Sequence, residues 1–214
     1  MIPREFHLIW LGPKPLPSIQ VDAWRDLHPD WPLTVWDEAA IRALPLRNVR
    51  AFDHYLAIKA WHGAANVARY EIVLRRGGIY VDMDTTPTRS WDDAPFLGAE
   101  LFAGLVQPRA EFPGLIGNAY IGAIPRHPAM ADLVSQVGRM TKLMPPWRTS
   151  GVVGFTRALE PWRDQPGVQI LPTAAFFPRD RFDRPAPSAD TETWAVHHWG
   201  STISSPWTYE QATP

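Results

Sequence analysis

The stretch that decides the fold is Arg69-Tyr70-Glu71-Ile72-Val73-Leu74-Arg75-Arg76-Gly77-Gly78-Ile79-Tyr80-Val81-Asp82-Met83-Asp84. Its first half completes a helical pattern in which Trp61, Ala65, Ala68 and Ile72 recur at three- and four-residue steps, so one helix is predicted from about His54 to Arg75. Gly77-Gly78 ends it. Ile79-Tyr80-Val81 then reads as a short strand, and Pro87, which has no N–H to donate, is expected to stop further ladder pairing. The acidic pair therefore sits at a strand's end, where α/β folds place their chemistry.

Working outward, Phe6 to Trp10 reads as a first strand closed by a proline-rich turn from Gly12 to Pro17, with Ser18 placed to cap the next helix. Leu33 to Trp36 is a second strand, and Asp37 can cap a short helix toward Leu44. Downstream, Leu101 to Val106 and Tyr120 to Ile124 read as strands, Pro128 to Met140 as a helix, and Val168 to Leu171 and Trp194 to His197 as late short strands. Pro172 to Asp190, with several prolines and no period, is expected to be a loop able to order over a ligand. No internal repeat is seen. The expectation is a mixed α/β fold with a central sheet flanked by helices, and a single domain over residues 1–214.

Composition narrows the function classes. A formal net charge of −1 leaves no basic footprint for a nucleic acid or an anionic membrane surface. The absence of cysteine excludes disulfides, thiolate zinc sites and cysteine nucleophiles, so any metal must be held by Asp, Glu, His or Asn. No apolar run approaches the roughly 20 residues of a transmembrane helix. The apolar run after Phe6 is cut at Gly12-Pro13, which does not suit a secretory signal, and a cytoplasmic location is expected. Eleven tryptophans exceed what a core of this size requires, which points to some lining a cleft where an aromatic face stacks on a sugar or base.

Asp82 and Asp84 share a face if the strand continues through them, with carboxylates roughly 7 Å apart. Mg²⁺ and Mn²⁺ favour carboxylate and water oxygens together with substrate phosphates, and two acids leave coordination positions open for a diphosphate. A bare Asp-x-Asp more often only solvates a turn, here the one before Pro87. The helix, glycine turn and strand around this one favour the metal reading.

With Arg69-Tyr70 upstream and Gly77 to Asp84 intact, the chain resembles the DXD-containing sugar transferases, which include capsular-polysaccharide enzymes, yeast initiating mannosyltransferases and the glucosylating domains of large clostridial toxins. The opening Ile2-Pro3 and His7-Leu8-Ile9-Trp10-Leu11-Gly12 is similar to that family's first strand and nucleotide-contacting loop. The resemblance implies a GT-A (Rossmann-like) nucleotide-sugar transferase fold, a nucleotide-sugar donor with UDP as the first guess, Mn²⁺ or Mg²⁺, and transfer with retention to an unidentified acceptor. It assigns Asp82 and Asp84 to the metal and Arg69 to the donor's diphosphate or hydroxyls. Trp10, Leu11, Gly12 and Tyr80 fall along the donor site. Where the family has aspartate three residues before the arginine, this chain has Asn66, which brings hydrogen bonds but no charge. Near the C-terminus Ala195-Val196-His197-His198-Trp199 resembles the segment supplying a further metal ligand. Adjacent strand residues face opposite ways, so one histidine can reach the metal, and His197 is chosen. Ser201, Ser205 and Trp207 match a family ending that closes over the diphosphate, and Asn118 and Gly151 fall where relatives line the donor and acceptor cleft.

Three rival readings differ in class. Asp82-Met83-Asp84-Thr85-Thr86 after an apolar strand also looks like a haloacid-dehalogenase-type phosphatase nucleophile motif. That class needs a later lysine followed by an acidic pair, and none follows Lys142. A glycosidase needs two carboxyls flanking the scissile bond, whereas these converge on one side. The third is a degenerate nucleotide-sugar or carbohydrate-binding module in which Asn66 marks lost activity.

Overall fold

The computed structural model describes residues 1–108, 112–143, 145–186 and 192–200. β1 (Phe6–Ile9) is followed by α1 (Ser18–Leu27) and by β2 (Leu33–Trp36), which pairs parallel with β1. Ser18 is the first helical residue and not the cap: Pro17 occupies the capping position, and no side chain bonds the first amides. Asp37 caps α2 (Glu38–Arg42) as the sequence indicates, its Oδ1 accepting from the Ala40 N–H at 2.7 Å.

The long helix expected from His54 to Arg75 is two helices, α3 (Val49–Ala57) and α4 (Trp61–Arg76). Lys59 makes the corner in the left-handed region at φ 59°. The Ala60 N–H bonds the Tyr55 carbonyl at 2.9 Å and the Lys59 N–H the Leu56 carbonyl at 3.0 Å, the pairing of a Schellman ending. Glycine is the usual signal for that geometry, and here lysine occupies it. The Tyr55 ring then packs directly beneath Gly63 of α4, at a distance that admits no side chain there. Gly77 and Gly78, at φ 68° and 78°, turn the chain into β3 (Gly78–Val81), which returns beside β1 and parallel to it.

Beyond the acidic pair come β4 (Thr85–Pro87), β5 (Leu101–Leu105), β6 (Ile116–Ala123), α5 (Pro128–Gly138), α6 (Val152–Leu159), β7 (Val168–Leu171), α7 (Thr173–Phe176) and β8 (Ala195–His197). The main sheet has the order β2-β1-β3-β6-β5-β7, with β6 antiparallel to both its neighbours and β7 parallel to β5. Pro87 does not stop pairing: β4 and β8 form a separate antiparallel pair, with Thr85 opposite His197 and Pro87 opposite Ala195. A proline is tolerated there because it ends a short edge strand and its missing N–H interrupts no central ladder. The stretch expected to be a loop from Pro172 contains α7, whose Phe176 is fully buried, and a turn closed by Asp180 Oδ1 accepting from Phe182 N and Arg184 N.

Strand alternation sorts the core onto the two sheet faces. Ile9, Tyr80, Leu101, Ala103 and Ile121 pack with α4, α5 and α6, whereas Phe6, Leu8, Ile79, Val81, Phe102 and Tyr120 join Trp24, Trp91 and Phe176 on the other face. One irregularity matters for the site. Ala103 pairs with Ile121 but Gly104 with Gly117, so β6 bulges through residues 118–120. The bulge lets Asn118 reach Asn66 and Tyr70 of α4 while Tyr120 stays in the opposite core.

Candidate active site

β3 ends at Val81, and the chain turns through Met83 instead of continuing as a strand. The Asp82 N–H donates to the Ala119 carbonyl at 2.8 Å, and Thr85 Oγ1 donates back to the Asp82 carbonyl at 2.5 Å, closing the turn. This draws the carboxylates closer than an extended strand would hold them. Asp82, Asp84 and His197 each present one ligand atom, all within 4.8 Å of one another. His197 Nε2 lies 3.6 Å from Asp82 Oδ2 and 3.5 Å from Asp84 Oδ1. The β4–β8 pairing delivers His197, and the Trp199 N–H donates to its Nδ1 at 3.1 Å, leaving Nε2 turned to the acids. His198 goes elsewhere: its Nε2 bonds Thr86 Oγ1 at 2.8 Å and its backbone N–H the Asp84 carbonyl at 2.8 Å. Two carboxylates and one imidazole form an oxygen-rich set with one nitrogen, which suits Mn²⁺ and accommodates Mg²⁺.

Behind this trio stands a buried cation. Arg69 Nη1 lies 2.9 Å from Asp82 Oδ1 and donates to the Asn118 carbonyl at 2.5 Å, while its guanidinium sits 4.3 Å from the Tyr80 ring centre. The Tyr80 hydroxyl donates to the same Asp82 oxygen at 2.6 Å. Burial opposes ionisation of Asp82, but Arg69 and then His197 outweigh it and hold the carboxyl down at about 2. Burial likewise opposes charge on His197, and Asp84 with Asp82 raises its pKa nonetheless. Asp82 is thus a fixed anion at neutral pH.

The other sequence-predicted residues fall in four groups. Trp10, Leu11 and Gly12 follow the C-terminal end of β1 and so share the sheet edge at which Asp82 follows β3. Trp10 is half-buried, with its indole N–H on the Lys14 carbonyl at 2.8 Å. Asn66 is buried: its Oδ1 accepts from Asn118 Nδ2 at 3.0 Å, and its Nδ2 reaches Ser150 Oγ at 3.5 Å. Gly151 is the N-cap residue of α6, with its N–H on the Pro146 carbonyl at 2.7 Å. Ser201, Ser205 and Trp207 lie outside the described residues.

Sequence reading missed three contributors. Tyr70 and Tyr55 extend the Asn66 network, the Tyr70 hydroxyl donating to the Ser150 carbonyl at 2.7 Å and Ser150 Oγ bonding the Tyr55 hydroxyl at 3.2 Å. Trp61 covers Gly12: a Cβ on Gly12 would lie 3.1 Å from the indole. The available signal was Trp61 at the start of α4, read as part of an apolar stripe.

The sheet order, the mixed strand directions and the acid-bearing turn after β3 define the class, a GT-A glycosyltransferase fold. Among solved structures of like fold is the PaToxG glycosyltransferase, with TM-score 0.61, 16% identity, and coverage of 75% of this chain and 70% of that one. The UDP-bound glycosyltransferase domain of the YGT toxin follows at TM-score 0.56 and 7% identity, with 79% of each chain covered. Residues 18–100, a stretch that includes Asp82-Met83-Asp84, match the family described as the glycosyltransferase sugar-binding region containing a DXD motif. A curated relative, inositol phosphoceramide mannosyltransferase 3 of Schizosaccharomyces pombe, is 28% identical over 142 residues, which are 64% of this chain and 38% of that protein. The chain therefore aligns with well under half of that relative. No helix among the described residues is long and apolar enough to cross a membrane.

Proposed function

We propose that residues 1–214 act as one metal-dependent, retaining glycosyltransferase domain that moves a sugar from a nucleotide-sugar donor, with UDP as the nucleotide, to a hydroxyl acceptor. The observation that carries this reading is the convergence of Asp82, Asp84 and His197 at the end of β3. These three would hold Mn²⁺ or Mg²⁺, which supplies positive charge to the departing nucleoside diphosphate. Arg69 and Tyr80 keep Asp82 ionised and aimed, so Arg69 acts through Asp82. Trp10, Leu11 and Gly12 line the nucleotide side, and Asn66 and Asn118 line the sugar side. No protein nucleophile stands among the named groups, which favours front-face displacement with the leaving phosphate taking the acceptor proton. UDP is supported by the UDP-bound toxin domain of like fold, and a mannosyl donor is the alternative that the yeast relative suggests.

A binding module is the second reading, because the carbonyl and amide of Asn66 are both turned into a buried network. Incubation of the protein with Mn²⁺ and a panel of UDP- and GDP-sugars separates the two. Release of one nucleoside diphosphate supports the transferase, and binding of a donor without release supports the module. Once an acceptor is found, an inverted product anomer by NMR would contradict retention.

A further inference from the structure

Among the described tryptophans Trp147 alone stands largely open to water, with 45% of it exposed. A single exposed apolar residue is ordinary, but this one is held on a fixed turn. The Arg148 and Thr149 N–H groups bond the Pro145 carbonyl at 3.1 and 3.3 Å, the Gly151 N–H bonds the Pro146 carbonyl at 2.7 Å, and the Trp147 carbonyl accepts from Val153 of α6 at 3.1 Å. Two glycines let α6 press against this turn. A Cβ on Gly151 would lie 2.7 Å from the Trp147 Cα, and one on Gly154 would run into the Thr149 carbonyl. The indole has company as well: Phe112 meets it edge-on at 6.1 Å, and the Arg148 guanidinium lies 5.3 Å from its ring centre.

Direct bonds tie the turn to the acidic residues. Ser150 accepts the Tyr70 hydroxyl on its carbonyl at 2.7 Å and Asn66 Nδ2 on its Oγ at 3.5 Å. Asn66 in turn holds Asn118, whose carbonyl takes Arg69, the partner of Asp82. Phe112 reaches the same place along the sheet. β6 runs antiparallel to β3, and Ala119 is already level with Asp82, so the chain before it continues outward past the acidic turn. Trp147 and Phe112 therefore form an aromatic corner on the open side of the site, beyond Asn66 and Asn118.

We propose that this corner is the acceptor platform and that the acceptor is a carbohydrate, one ring of which packs its C–H face on the Trp147 indole. An indole offers a large apolar face at little cost in side-chain entropy, and a pyranose laid on it keeps its hydroxyls in water or on neighbouring polar groups such as Arg148. The acceptor role rests on the transferase reading; sugar binding at Trp147 does not.

The test keeps the two apart. Maltose, cellobiose, lactose and an α-linked mannobiose are titrated into wild type, Trp147→Ala, Trp147→Phe and Trp162→Ala, with saturation-transfer NMR reporting which sugar protons touch the protein. Trp162, half-buried and bonded to Asp132, serves as a tryptophan outside this corner. Release of nucleoside diphosphate by wild type with Mn²⁺ is measured separately on a panel of donors. The expected result is a disaccharide Kd raised about 10-fold in Trp147→Ala and about 3-fold in Trp147→Phe, with Trp162→Ala equal to wild type. Binding of no disaccharide, or equal binding by wild type and Trp147→Ala, would overturn the proposal and leave the transferase reading to the release assay. Sugar binding through Trp147 in a protein that releases nucleoside diphosphate from no donor would remove the transferase reading, and the acceptor role with it.

Discussion

A buried Arg69 and a partly buried Asp82 form an ion pair across two elements: Nη1 of the helical arginine lies 2.9 Å from Oδ1 of the aspartate that follows β3. The same Arg69 nitrogen donates to the Asn118 carbonyl on β6. One guanidinium thus joins α4, the acidic turn and the bulged strand. Removing one partner of such a pair strands the other charge away from water, at a cost of about 3–5 kcal/mol. Arg69→Ala is expected to lower the unfolding free energy by about 3 kcal/mol and to abolish donor turnover. Arg69→Lys restores the charge but not the forked geometry, so turnover should stay low while part of the stability returns. Urea unfolding beside a nucleoside-diphosphate assay reads both, and full activity in Arg69→Lys would contradict the account.

The two adjacent histidines have different duties. His197 faces the acids, and His198 braces Thr86 and the Asp84 carbonyl. His197→Ala should weaken Mn²⁺ at least about 10-fold, because losing a ligand costs no less than losing an outer hydrogen bond that orients one. His198→Ala, which leaves its backbone bond intact, should change affinity far less. Equal losses in the two variants, measured by calorimetry, would show that the pairing of β4 with β8 misplaces these side chains.

Much of this was legible in the sequence because its signals are local. The Gly77-Gly78 stop, the strand before Asp82 and the cap at Asp37 each follow from a few adjacent residues, and all three stand in the fold. What the sequence hid depends on distant partners. Lys59 gives no glycine signal for the break between α3 and α4. β4 exists because Ala195 to His197, over a hundred residues on, comes back to pair with it. The close approach of Asp82 and Asp84 needs the chain to leave the β3–β6 ladder directly after the Asp82 N–H has bonded the Ala119 carbonyl, and no spacing rule contains that contact. The likeness to DXD sugar transferases pointed to Asp82, Asp84 and His197 before any geometry did. It did not reveal that Asn66 is enclosed by Asn118, Tyr70 and Ser150.

That enclosure makes a prediction of its own. Asn66→Ala leaves Asn118 Nδ2 with Tyr70 alone and removes a partner from Ser150, which should reduce stability by about 1–3 kcal/mol. Donor affinity should fall as well, because the residues lining the sugar side lose their mutual alignment. A variant with wild-type stability and donor affinity in unfolding and calorimetric titrations would show that the network organises nothing.

His28 predicts how stability depends on pH, far from the metal. Its Nδ1 bonds the Trp24 carbonyl and its Nε2 accepts the Trp91 N–H, both at 2.9 Å, within a cluster of Phe6, Trp24, Trp31 and Trp91. Burial pushes its pKa below the ordinary 6.5, so the folded ring stays neutral where an unfolded one takes up a proton. Its contribution is complete above pH 6.5 and is lost as pH falls toward the depressed folded value, with a slope of up to about 1.4 kcal/mol per pH unit. His28→Gln should be less stable than wild type at about pH 7.5 yet lose less on going to about pH 5.5. Parallel slopes in urea unfolding would show that His28 does not titrate across folding.

The central claim is that Asp82, Asp84 and His197 form a working metal centre for a nucleotide-sugar donor, and it rests most directly on Asp84. The decisive measurement is Mn²⁺-dependent release of nucleoside diphosphate from the preferred donor, with and without chelator, in wild type and in Asp84→Ala. The account predicts turnover in wild type that chelation stops and fresh Mn²⁺ restores, and no such turnover in Asp84→Ala. Release that persists through chelation, or that survives the substitution at the wild-type rate, would contradict it.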